Sequence, residues 1–160
     1  MSGLINSAGS KSGVIGYDRN PEVPAFYAYG FSGTEDSTHG TVPFNSTKYN
    51  VGYHYSTSSY AFTAPVKGLY SFTLNIALNG VSDSVYYFGF NFIVGGVAQT
   101  WMWIWENSKA HDYWTNCINR EFQMDAGDTS YVSLNGAGTG QFTSMRGGAT
   151  DCTFSGFLIG

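Results

Sequence analysis

The chain has 160 residues, of which 42% are hydrophobic, 18% aromatic and only 11% charged. That length suits one domain able to fold without a metal or disulfide, and the apolar content excludes a disordered chain. Seven basic against eleven acidic residues, a net charge of -4, exclude binding dominated by phosphate contacts, and no apolar run approaches the roughly 18 residues of a membrane span.

Met1 to Asn20 is rich in Gly, Ser and Asn and reads as a flexible linker or the end of a stalk, with a globular domain over 21–160. Met1 to Gly16 has one Lys and no long apolar core, so no secretory signal is expected there. From Pro21 onward, short apolar runs alternate with turn residues. No stretch of 11 or more residues has apolar positions at helical spacing, and the class is all-β. In Gly68 to Leu78, Tyr70, Phe72, Leu74, Ile76 and Leu78 fall on one face of a strand, and Asn79-Gly80 supplies a turn signal. In Val85 to Val94, Tyr86, Phe88, Phe90, Phe92 and Val94 share a face. Gly95-Gly96 then predicts a hairpin, with Val97 to Trp105 as the antiparallel partner. Glu106 to Trp114 reads as a polar-aromatic loop suited to adaptable recognition. Later strands are Ile118 to Met124, Thr129 to Leu134 and Thr153 to Ile159, punctuated by Gly127-Asp128 and Asn135-Gly136. About eight to ten short strands without an internal repeat imply a sandwich or jelly roll.

Signals for chemistry are weak. Gly-x-Ser-x-Gly is absent, and Ser10 is followed directly by Lys11. His39, His54 and His111 share no metal or triad spacing. Gly136 to Gly140 is Gly-rich but no helix follows it, so it reads as a loop rather than a phosphate cradle. Glu35 and Asp36 read as a solvated turn. Cys117 and Cys152 fit no metal spacing and read as small buried hydrophobes, with a bridge as the lesser alternative.

One spaced pattern is specific. Phe44, five residues, Asn50, four, Tyr55, six, Phe62, five, Gly68, one, Tyr70, one, Phe72 resembles the signature of the C1q globular head family, within the C1q/tumour-necrosis-factor-like superfamily. Leu74 stands where that family usually has Phe or Tyr. Ala126-Gly127-Asp128, Phe154 to Ile159 and Pro24 to Ala28 add matches, so the resemblance spans about Pro21 to Gly160. The stretch from Gly95 to Asn116 matches poorly. Taken as residues alone, Gly68 allows a tight approach at a strand entry, while Tyr70 and Phe72 fill a sandwich core about 10 Å thick.

The resemblance implies a ten-stranded, two-sheet jelly roll that assembles as a homotrimer and binds other molecules without doing chemistry. Its inner sheet would hold the first and last strands, with Phe26, Tyr27, Tyr87, Tyr131 and Phe157 as candidate trimer contacts. Many members sit on a collagen stalk, but this chain has no Gly-X-Y repeat. Its N-terminal segment resembles the lead-in to heads of viral or phage fibres. The expected function is therefore attachment to a surface receptor or glycan, in a virion or extracellular setting. The alternatives are a secreted cellular head for innate recognition or adhesion, and a purely structural trimerisation domain.

Trp101, Trp103 and Trp105 alternate with Met102 and Ile104, so both faces of this strand are apolar. The resemblance places it in the outer sheet. Either the tryptophans are displayed as a platform, which a sugar ring can stack on, or they fill the core and Met102 and Ile104 face out. The candidate ligand-binding set is Trp101, Trp103, Trp105, His111, Tyr113 and Trp114. No cofactor is expected. The family's loop here can carry acidic calcium ligands near the trimer apex, and Asp112, with Glu106 beside it, is the candidate.

Overall fold

The computed structural model describes residues 23–30, 40–83, 87–105, 111–136 and 142–160. The N-terminal segment, Glu35 and Asp36, Glu106 to Ala110 and most of the Gly136 to Gly140 run lie outside the described residues.

Twelve strands form two antiparallel sheets. The first sheet contains β1 (Ala25–Tyr29), β3 (Ser46–Val51), β6 (Gly68–Val81), β9 (His111–Met124), β11 (Ser144–Met145) and β12 (Thr153–Leu158). Its order is β11-β6-β12-β1-β3, with β9 also paired to β6. The second sheet contains β2 (Gly40–Thr41), β4 (Tyr55–Ser56), β5 (Ala61–Thr63), β7 (Tyr87–Val94), β8 (Val97–Trp105) and β10 (Thr129–Gly136). Its order is β4-β5-β10-β7-β8, with β2 also on β10. The twelve exceed the ten expected, and three of them are only two residues long.

Period-2 alternation decides which side chains meet between the layers. Phe26, Tyr70, Phe72, Leu74, Ile76 and Phe154 enter from the first sheet, and Phe62, Phe88, Phe90, Phe92 and Val132 from the second. Phe26 stacks on Tyr55 at 4.8 Å and on Phe62 at 5.1 Å between ring centroids, and meets Phe154 edge-on at 4.9 Å. Such pairs add to the area they bury.

The spaced signature maps onto this core. Phe44, Tyr55, Phe62, Tyr70 and Phe72 are all buried. Asn50 clamps a turn rather than filling space: its Nδ2 donates to the Tyr55 carbonyl at 2.8 Å and its Oδ1 accepts from the Tyr55 N–H at 3.1 Å. A Cβ at Gly68 would lie 2.5 Å from Leu158 Cδ1 and 3.1 Å from the Gly160 carbonyl oxygen.

The Gly95-Gly96 hairpin forms as expected, with φ of 57° and 79°, the left-handed values of a type I′ turn. Asn79-Gly80 does not end a strand. Gly80 takes φ 60° within β6, which continues to Val81 along β9 in register from Gly68↔Met124 to Val81↔His111. The segment His111 to Trp114 is therefore strand, not the loop that its polar-aromatic composition suggested. Cys152 is buried, but Cys117 is exposed on β9, and the two are not bridged. No helix in the described residues is long and apolar enough to cross a membrane.

Candidate functional site

The two outward sheet faces differ in chemistry. None of the six strands of the second sheet carries an Asp, Glu, Lys, Arg or His. The charged residues of the strands sit in the first sheet, as Lys48 in β3 and Asp112, Arg120 and Glu121 in β9.

On β8, Met102 points into the core at 5% exposure. Alternation then puts Trp101 and Trp103 on the outward face, where both are half-buried. Of the two arrangements open to this strand, the displayed one is adopted. The two indoles stack with centroids 4.3 Å apart and planes 14° from parallel. The Tyr87 ring meets Trp103 edge-on at 5.5 Å. For Trp105 the structure describes the backbone only, in register with Tyr87.

The stack lies over β7 because β7 makes room for it. Gly89 pairs with Trp103, and Asn91 with Trp101. A Cβ on Gly89 would lie 2.8 Å from Trp103 Cε3 and 3.1 Å from Trp101 Cε3. Beyond Gly89, across β10, the same row continues to Asn135, which is exposed. Beyond Asn91 it continues to Ser133 and Thr41. Asn91 is 2% exposed, and its Oδ1 is buried without a hydrogen-bond partner among the described residues. The sequence reading missed Gly89 and Asn91. Their signal was legible as the two small or polar interruptions of the aromatic run Phe88-Gly89-Phe90-Asn91-Phe92, beside a Trp-rich strand.

The other ligand-binding candidates are elsewhere. Tyr113 is 69% exposed on β9 of the first sheet, with the Arg146 guanidinium 5.4 Å above its ring. Trp114, its neighbour, packs against the core. His111 is placed by its backbone opposite Val81. These residues do not join the Trp101–Trp103 face, because β9 and β8 belong to different sheets.

The five candidate trimer contacts also separate. Phe26 is fully buried between the layers and cannot touch another copy. Alternation along β1 turns Phe26 inward and Tyr27 outward. Tyr27 and the 51% exposed Phe157 share the outward face of the first sheet through the register Ala25↔Phe157 and Tyr27↔Ser155. Tyr87 and Tyr131 lie in β7 and β10 of the second sheet, not beside them. The first face also has Tyr49 against Tyr27 at 5.9 Å. Toward its β9 edge, Asn119 Nδ2 donates to Ser71 Oγ, the Phe72 carbonyl and Thr73 Oγ1, with Glu121 in register with Ser71 on the same face.

Asp112 is exposed on β9, and no group of three His, Cys, Asp or Glu side chains able to hold a metal occurs among the described residues. A calcium ion takes six to eight oxygens, so one carboxylate does not make a site. An open cleft of about 480 Å³ is lined by Asn75, Ala77, Thr115, Cys117, Thr150 and Asp151. Its carboxylate is engaged by Arg146 at 3.3 Å, and its lining has no His, Lys or Glu to act as a base for the thiol.

A family model described as "C1q domain" matches residues 25–159. The chain belongs to the C1q domain family. Its fold is similar to the globular domain of zebrafish complement 1qA protein, at 18% identity and a TM-score of 0.63, covering 87% of this chain and 98% of that one. It is also similar to murine APRIL at pH 5.0, at 10% identity and a TM-score of 0.65, covering 86% and 100%. C1q domains are recognition domains rather than enzymes, of a type that forms trimers and binds receptors. Within this C1q domain, the indole stack on β8 lies inside the matched residues.

Proposed function

We propose that this chain is a trimeric, non-enzymatic attachment head at the tip of a viral or phage fibre. Three copies pack through the outward face of the first sheet, and the uncharged outward face of the second sheet is left for a surface receptor. The observation that carries this reading is the division of the two faces. Tyr27, Tyr49 and Phe157 give the first an apolar flank suited to self-association, while Trp101 and Trp103 form a second aromatic patch across the sandwich. A face whose strands carry no formal charge and many Ser, Thr, Asn and Tyr side chains suits adaptable recognition. Calcium at Asp112 is not part of this reading.

The test is binding of the purified head to candidate host surfaces, read beside its mass by light scattering at low concentration. The expected result is a particle of about three times 17.4 kDa that binds a surface. A stable particle of one copy that binds nothing overturns the proposal.

A further inference from the structure

This inference rests on the reading that the second sheet's outward face meets the ligand, and it names the ligand's chemistry. We infer that the stacked indoles of Trp101 and Trp103, with Asn135 and Ser133 opposite them, form a site for a neutral pyranose sugar.

All six strands of this sheet lack acidic, basic and histidine side chains. A phosphate, a sulfate or a sialic acid carboxylate placed there loses hydration and meets no countercharge among those strands. A ligand without charge avoids that cost.

Shape is the second element. The paired indoles are close to parallel, 4.3 Å between centroids, so they act as one rigid aromatic block. Tyr87 abuts Trp103 from the side. Gly89 lets the block lie low over β7, since any Cβ there would push on both Cε3 edges. The result is an aromatic wall on β8 and a polar rim on β10, with the side-chain-free Gly89 between them. A pyranose has matching parts, an apolar ring face for the indole and hydroxyls around its edge for amide and hydroxyl partners.

The third element is Asn91. It shares this face, yet its Oδ1 is buried and has no partner among the described residues. A buried acceptor left alone is unfavourable. A sugar hydroxyl that enters beside Trp101 donates to it. Gly89 is a positioning residue for the floor, while Trp103, Asn135 and the Asn91 Oδ1 make the contact.

The experiment uses saturation-transfer NMR and tryptophan fluorescence on the whole chain. The probes are methyl β-D-galactopyranoside, methyl α-D-mannopyranoside and N-acetyl-D-glucosamine, followed by an array of neutral and sialylated glycans. At least one neutral sugar should bind and shift the indole emission. That binding should be insensitive to salt, as expected without ion pairs. Trp103→Ala and Gly89→Ala should each weaken it tenfold or more. Asn135→Ala, at an exposed position that leaves the fold intact, should weaken it severalfold. The inference is overturned if no neutral glycan on the array binds, if only sialylated ones bind, or if binding is unchanged in Trp103→Ala and Asn135→Ala. A trimer that still binds a host surface while neutral sugars neither bind nor compete defeats the sugar site and leaves the attachment head standing. A monomer that binds no surface defeats both.

Discussion

Asn50 holds Tyr55 by both of its backbone polar groups, donating from Nδ2 to its carbonyl at 2.8 Å and accepting from its N–H at 3.1 Å. The pair pinches off a turn in which Gly52 and Tyr53 take φ of 74° and 59°. Tyr55 then donates its own hydroxyl proton to the Phe44 carbonyl at 2.9 Å, in the core. Three positions of the family signature are thus one hydrogen-bonded unit. Asn50→Ala should lower stability by about 1–3 kcal/mol, because the Tyr55 backbone groups are left without partners. Tyr55→Phe should cost about 1–2 kcal/mol by removing the hydroxyl that donates to the Phe44 carbonyl. Urea unfolding measures both. A midpoint unchanged in Asn50→Ala contradicts the clamp.

Glycines in this fold are required for two different reasons, which substitution separates. At Gly156 a Cβ would lie 2.5 Å from Phe72 Cδ1 and 3.0 Å from Phe26 Cε1, so Gly156→Ala overpacks the core and should cost about 1–3 kcal/mol. At Gly96 a Cβ meets nothing within 4 Å, but φ is 79°. Gly96→Ala should therefore cost only the left-handed penalty of about 1 kcal/mol. Thermal melts of the two variants should rank Gly156→Ala as the less stable; the reverse order argues against tight packing of Phe26 and Phe72.

The two thiols should behave oppositely. Cys117 is exposed and should react with a thiol reagent in the native protein, whereas Cys152 should react only on unfolding. Burial pushes the Cys152 thiol from its ordinary value of 9.0 up to about 11, and burial also holds the Tyr55 phenol well above its usual range. Both shifts favour the neutral form in the folded state. Their contribution is full below the ordinary values and is lost as pH rises, for Cys152 between about 9 and 11. A shift of that size corresponds to roughly 2–3 kcal/mol. Unfolding free energy measured from pH 8 to 11 should fall in the native protein, and fall less steeply in Cys152→Val. Equal slopes in the two proteins would falsify the assignment to Cys152.

Self-association can be tested at Phe157 without touching the core, since it is 51% exposed beside Tyr27. In Phe157→Arg, a charge on the proposed three-fold contact should reduce the particle to one copy, with an unchanged circular dichroism spectrum. An undiminished mass in that variant places the contact elsewhere.

Tyr70 to Leu78, Phe88 to Val94 and the Gly95-Gly96 turn were legible in the sequence. A strand with one buried face repeats every two residues, and a two-residue left-handed turn needs glycine. The alternation of Trp101, Met102 and Trp103 was legible as well, although not which of its two faces is displayed. Two features misled. Asn79-Gly80 has the composition of a turn, yet β6 passes through it because β9 and β11 pair with β6 around it. Phe26 carries the aromatic character of an interface residue, yet its place in the alternation of β1 buries it.

Composition and spacing by themselves determined that the chain is all-β, that the spaced aromatics Phe44, Tyr55, Phe62, Tyr70 and Phe72 are core, and that their pattern resembles that of C1q heads. They could not choose which face of β8 looks outward, because apolar side chains occupy both. Only the packed sandwich decided that, by giving Met102 a place among core side chains and by setting Gly89 beneath the indoles of Trp101 and Trp103. Alternation is a local property of one strand, whereas the side that is covered depends on which sheet lies across from it.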